Sequence, residues 1–168
     1  DGVNTSELTI TGRYPYNDIL FRLASANTCG TGTSDPARLT VHSNPSFSDT
    51  DEISITSSGG EIEEDHNWAC EGGWFEVFGN LSSGVLGADQ FEFQWQMLDL
   101  NTSTDWNAAS TEVEDGGYFS GATTSNLVIS NVTVDIDNRA FRVYVTSPYC
   151  GPAYGTSEAV TITVYTRP

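Results

Sequence analysis

Three cysteines, two histidines, 23 carboxylates and a set of tryptophans and tyrosines are the side chains in this 168-residue sequence that could do chemistry. Cys29, Cys70 and Cys150 offer disulfide chemistry, and their odd number leaves at least one without a partner inside the chain. Together with the distant His42 and His66 they have no metal-ligand spacing. Neither histidine accompanies a Ser or Cys in a nucleophile motif, and no Gly-x-Ser-x-Gly, P-loop or His-Glu-x-x-His is present. Carboxylate pairs suited to glycoside cleavage arise by chance when 23 acids share a small surface. The sequence therefore assigns no catalytic residue and reads as a non-enzyme. Ca²⁺ needs several hard oxygens, and Asn17, Asp18, Asp49, Asp51 and Asp89 are weak candidates whose spacing fits no EF-hand loop. A solvated acidic surface is the plainer reading of them. No other cofactor is implied. The run Glu61-Ile-Glu63-Glu64-Asp65 reads as a solvated loop or a guard on a sheet edge. Trp68, Trp74 and Trp106 could stack on sugar rings, and the best single patch for that is Tyr149-Cys-Gly-Pro-Ala-Tyr154.

Charge narrows the partners. All 6 basic residues are arginines, against 23 acids, for a net charge of −17. Without lysine there is no Schiff base, no P-loop lysine and no Lys–Asn isopeptide. A charge this negative excludes nucleic acid and anionic lipid surfaces as partners. No apolar run approaches the roughly 20 residues of a membrane-spanning helix, so membrane insertion is not expected. Few cations and many hydroxyls suit an exported protein at a cell surface.

The elements that must position these residues are strands. Apolar side chains alternate with period two through Leu8–Ile10, Phe21–Leu23, Leu39–Val41, Ile53–Ile55, Trp74–Phe78, Phe91–Met97, Leu127–Ile129, Phe141–Val145 and Val160–Val164. Such alternation marks half-buried antiparallel strands, and Gly, Pro, Asn, Asp and Ser punctuate them. No sustained 3.6-residue stripe exists, so the class is all-β, a sandwich. An internal repeat sets the organisation. Ser6-Glu-Leu-Thr-Ile-Thr matches Ser125-Asn-Leu-Val-Ile-Ser. Phe21-Arg-Leu matches Phe141-Arg-Val, Cys29-Gly matches Cys150-Gly, and Gly32-Thr-Ser-Asp matches Gly155-Thr-Ser-Glu. Residues 1–42 read as the last three strands of one domain, 43–45 as a linker stopped by Pro45, and 46–168 as a complete second copy.

Trp95 in Phe93-Gln-Trp-Gln and the stretch Ile129 to Val143 resemble an immunoglobulin-like repeat, with strand C at Trp95 and strands E and F around the second stretch. The resemblance makes Trp95, Phe141 and Val143 core residues. Phe141 stands where the family usually has Tyr, and Val143 where it often has Cys, so neither the tyrosine corner nor the B–F disulfide is expected. Cys70-Glu-Gly-Gly, Tyr118-Phe-Ser-Gly-Ala-Thr-Thr-Ser-Asn-Leu127 and a Cys in the F–G hairpin are similar to Ig-like repeats in giant secreted adhesins of gliding bacteria that use type IX secretion. That resemblance implies a stalk repeat of a long cell-surface adhesin or filament, involved in gliding or attachment. Its partners would be adjacent repeats and surface polysaccharide. A carbohydrate-binding or spacer module of a secreted polysaccharide-active enzyme is the alternative, and a strand-exchanged filament subunit is another.

In that frame Cys70 precedes strand B and Cys150 follows strand F, at opposite poles of a sandwich. Two pairings stay open. The insert 57–69 carries Cys70 back to Cys150 within the domain, or each bonds a neighbouring repeat. Cys29 has its partner outside the chain segment. The five calcium candidates would face the junction between the two copies.

Overall fold

The computed structural model describes residues 5–11, 16–48, 52–63, 66–82, 90–150 and 154–167, with backbone only at 62, 63, 66 and 154. The chain divides into two compact units, Asp1–Ser43 and Asn44–Pro168.

The first unit is a two-strand ribbon in two parts. β1 (Leu20–Phe21) pairs with β4 (Ala37–Arg38), and β2 (Ala24–Asn27) pairs with β3 (Gly30–Thr33). Residues 7–11 form no strand, against the alternation that Leu8–Ile10 offers. In the second unit the equivalent segment, Asn126–Ser130, is a strand paired on both sides.

In the second unit two sheets enclose the core. Its strands are β5 (Ile53–Ser57), β6 (Gly60–Glu63), β7 (His66–Cys70), β8 (Trp74–Gly79), β9 (Glu92–Asp99), β10 (Thr111–Glu112), β11 (Phe119–Ser120), β12 (Asn126–Ser130), β13 (Arg139–Thr146), β14 (Tyr154–Thr156) and β15 (Val160–Tyr165). One sheet runs β11-β12-β8-β5, and the other runs β10-β9-β13-β15-β7-β6 with β14 on β13. Every pairing is antiparallel except β15 with β7. Two facing sheets with this order are an immunoglobulin-like sandwich. One helical turn, α1 (Trp106–Ala109), is capped by Asp105.

The alternation decides which face is buried. On β13, Phe141, Val143 and Val145 are fully buried and point into the core with Trp95, Phe75, Leu127 and Ile129. The indole N–H of Trp95 donates to the Thr124 carbonyl at 2.8 Å, so its one polar atom is satisfied. A Cβ on Gly79 would come within 2.7 Å of Val143 Cγ1, so the residue facing Val143 must be glycine. The corner before β13 is tied without a tyrosine at 141. The Tyr118 hydroxyl shares a 2.7 Å hydrogen bond with Thr133 Oγ1, and Arg139 pairs with Asp99 at 2.7 Å.

The segment 57–69, expected as a plain insert, is a hairpin of β6 and β7. β6 is the sheet edge, and it carries the exposed Glu61. β7 lies in register beside β15, Cys70 opposite Tyr165.

Candidate functional site

The register of the second unit fixes two poles. β5 starts and β8 ends at the first pole, where Ile53 faces Gly79. β13 also ends there, with Thr146 opposite Tyr154. The turns joining β7 to β8 and β12 to β13 make the second pole, where Gly72 N–H donates to Val132 O at 2.8 Å.

Cys70 is a free thiol at the second pole, and Cys150 lies beyond Thr146 at the first. The seven steps of β13 between these ends measure about 23 Å, against the roughly 7 Å limit on Cα separation in a disulfide. Cys70 and Cys150 thus stand apart at opposite ends of the sandwich. The insert does turn back along β6, but β7 returns it to the pole it left. Cys29 is an exposed free thiol in the tip of the β2–β3 hairpin.

The calcium candidates do not form a described cluster. Asp49, Asp51 and Asp89 lie outside the described residues. Asn17 Oδ1 accepts the Val41 N–H at 3.0 Å, and Asp18 sits at φ 62° with its carboxylate 3.6 Å from Arg38. Both thus have backbone and ion-pair roles. Among the described residues no group of three or more His, Cys, Asp or Glu side chains converges to hold a metal. Of the sugar candidates, Tyr149 is 58% exposed, and the Tyr154 side chain lies outside the description.

One role was hidden in the repeat. Ser157 N–H donates to Val143 O and the Ser157 hydroxyl accepts the Val143 N–H, both at 3.0 Å. Ser34 makes the same two bonds with Leu23, both at 2.9 Å. Each hydroxyl replaces the ladder where the last strand bulges between its two halves. Asp137 Oδ1 accepts the Val164 N–H at 2.8 Å, as Asn17 does for Val41, and Asn138 repeats the positive φ of Asp18. The sequence match of Gly32–Asp35 with Gly155–Glu158 was the available signal.

The outward side of β9 and β13 gathers side chains that sequence reasoning left unused. In register stand Glu92 with Thr146, Gln94 with Tyr144, and Gln96 with Arg142; Glu112 of β10 stands opposite Gln96. Arg142 Nε donates to Gln96 Oε1 at 2.9 Å, and its guanidinium lies 4.3 Å over the Trp106 ring. Burial lowers the Arg142 pKa from its ordinary value. Phe91, Glu92, Phe93, Gln94, Glu112, Thr123, Tyr144 and Thr146 line a groove of about 500 Å³.

No protein-family model matches the chain, and no curated protein sequence matches it. Among solved structures, it aligns with a titin fragment of tandem Ig domains at 9% identity and a TM-score of 0.40, over 88% of this chain and 62% of that one. The chain thus spans under two thirds of that structure. No described helix is long and apolar enough to cross a membrane.

Proposed function

We propose that the chain is a section of an extracellular stalk built from tandem Ig-like repeats, part of a long cell-surface adhesin or filament used in attachment or gliding. One observation carries this reading. Every large apolar side chain described as exposed in Asn44–Pro168 lies at a pole. Trp74, Val134 and Tyr165 are at the second, and Tyr149 is at the first. Apolar ends with polar flanks suit end-to-end stacking of repeats, which would bury those ends. The exposed ring of Tyr165 crosses the half-buried ring of Trp68 at 68°, so the two make no coplanar platform. Cys70 and Cys150, at opposite poles, are placed for bonds to neighbouring repeats in such a stack, and Cys29 belongs to the same scheme. The domain boundaries read from the repeat complete it, with residues 1–42 closing a preceding domain and 43–45 linking it to the next.

The test is the intact mass of the source polypeptide, with peptide mapping under non-reducing conditions. A mass well above that of 168 residues, with further copies near a period of about 120 residues and Cys70 bonded outside this segment, is expected. A mass equal to that of this chain overturns the stalk. The exposed side chains of Leu20 and Leu23 then make strand exchange between subunits the leading account.

A further inference from the structure

We propose that the groove on the outward face of β9, β10 and β13 binds a neutral polysaccharide. This goes beyond the stalk reading, because it gives an outward sheet face a ligand of its own; one end of the groove, Glu92 with Thr146, reaches the first pole.

The argument starts from what the groove offers. Glu92 and Glu112 present carboxylates at its wall. Gln94 commits its Nε2 to two backbone carbonyls, Trp95 O at 3.0 Å and Val113 O at 2.8 Å, so its Oε1 remains an acceptor. The Thr146 hydroxyl donates to Glu92 at 3.5 Å. Acceptors therefore outnumber donors, and the matching ligand must be rich in donors. A polyanion is repelled by the two carboxylates and by the −17 of the whole chain. A simple cation is opposed by Arg142, one row away on the same face. An uncharged chain of hydroxyls meets both conditions, since each hydroxyl donates to a carboxylate or amide oxygen and can still accept.

Geometry agrees. Two rows line the groove, Glu92–Thr146 and Gln94–Tyr144, and they stand two residues, about 7 Å, apart along the strands, close to the span of one sugar ring. The half-buried ring of Tyr144 supplies apolar surface for the C–H face of a sugar ring. The side chains are already held. Gln94 is fixed by the backbone, and Arg142 by Gln96 and the Trp106 ring. Little ordering is left to oppose binding.

The experiment is native gel electrophoresis of the full chain through gels containing a soluble β-glucan, a galactomannan or an arabinoxylan, with alginate as the polyanionic comparison. At least one neutral gel is expected to retard the chain and the alginate gel is not. The retardation is expected to persist in about 0.5 M NaCl, where charge attraction is screened. Tyr144→Ser is expected to weaken it about tenfold. Glu92→Gln and Glu112→Gln, which keep the shape and cannot unfold the core, are expected to weaken it about fivefold each. Trp74→Ser, at a pole, is expected to leave it unchanged. A cooperative urea unfolding curve confirms that each variant is folded. Failure of all three neutral gels to retard the chain overturns the proposal. So does retardation that survives both Glu variants, or that disappears in salt and thereby marks a cation-seeking or other charge-driven contact. None of these outcomes bears on the mass of the source polypeptide, so this proposal and the stalk can fail separately.

Discussion

Residues 20–41 and 140–164 carry the same local design in different surroundings. Phe21 faces Ala37 as Phe141 faces Val160, and each last strand is interrupted by a serine that clasps the strand before it. Yet Phe141 and Val143 are fully buried, while Leu20 and Leu23 are more than half exposed and no described side chain before Asn44 is buried. The local hydrogen bonds thus set the shape of the ribbon, and burial is supplied by the strands it packs on. In the second unit those are β8, β9 and β12. The first unit contains no described counterpart of them.

Paired measurements sharpen or break this contrast. The largest difference is expected in amide exchange. The N–H groups of Val143 and Val145 should open only with global unfolding, at a cost of about 5–15 kcal/mol. Those of Ser25 and Thr31 should exchange near the rate of an unstructured chain. Equal protection in the two units would show that the first is buried by something in solution. Next comes the core. Phe141→Ala should cost about 3–5 kcal/mol in urea denaturation followed by tryptophan fluorescence. Phe21→Ala should shift the same curve by less than about 0.5 kcal/mol. Ser157→Ala leaves the buried Val143 N–H without an acceptor and should cost about 1–3 kcal/mol, whereas Ser34→Ala should be nearly silent. The smallest effect concerns ion pairs. Asp99→Asn loosens the half-buried pair with Arg139 and should cost about 1 kcal/mol or less. Asp18→Asn should change nothing measurable, because both members of its pair with Arg38 are about two-thirds exposed.

Legibility in the sequence followed the periodicity. Alternation located β8, β9, β12, β13 and β15, because each has one face in the core and one in water. It failed for β6 and β7, where acids and glycines interrupt the pattern and pairing comes from β15, nearly a hundred residues away in the chain. It overreached at Leu8–Ile10, where the described backbone forms no strand. The pole of Cys70 was legible from its place before strand B, and only the path of the insert leading to it was not. The flank groove was illegible for a different reason. Glu92, Gln94, Glu112 and Tyr144 lie on three strands and meet only through register, and outward polar residues are the half of an alternating pattern that carries no core signal. The Ser34 and Ser157 clasps were visible as a repeated tetrapeptide, though the bond each serine makes was not.

The parallel pairing of β15 with β7 has a consequence for tension. The second unit begins near its first pole, and β15 leaves at the second, so a pull on the ends acts along the sandwich. β15 is held between β13 and β7, with five registered positions on β7 from Thr161–His66 to Tyr165–Cys70. To draw it out lengthwise, these bonds must slide and break together, in shear. Peeled sideways they would open one at a time. The same hydrogen bonds therefore make a joint that is stiff along the sandwich and weak across it.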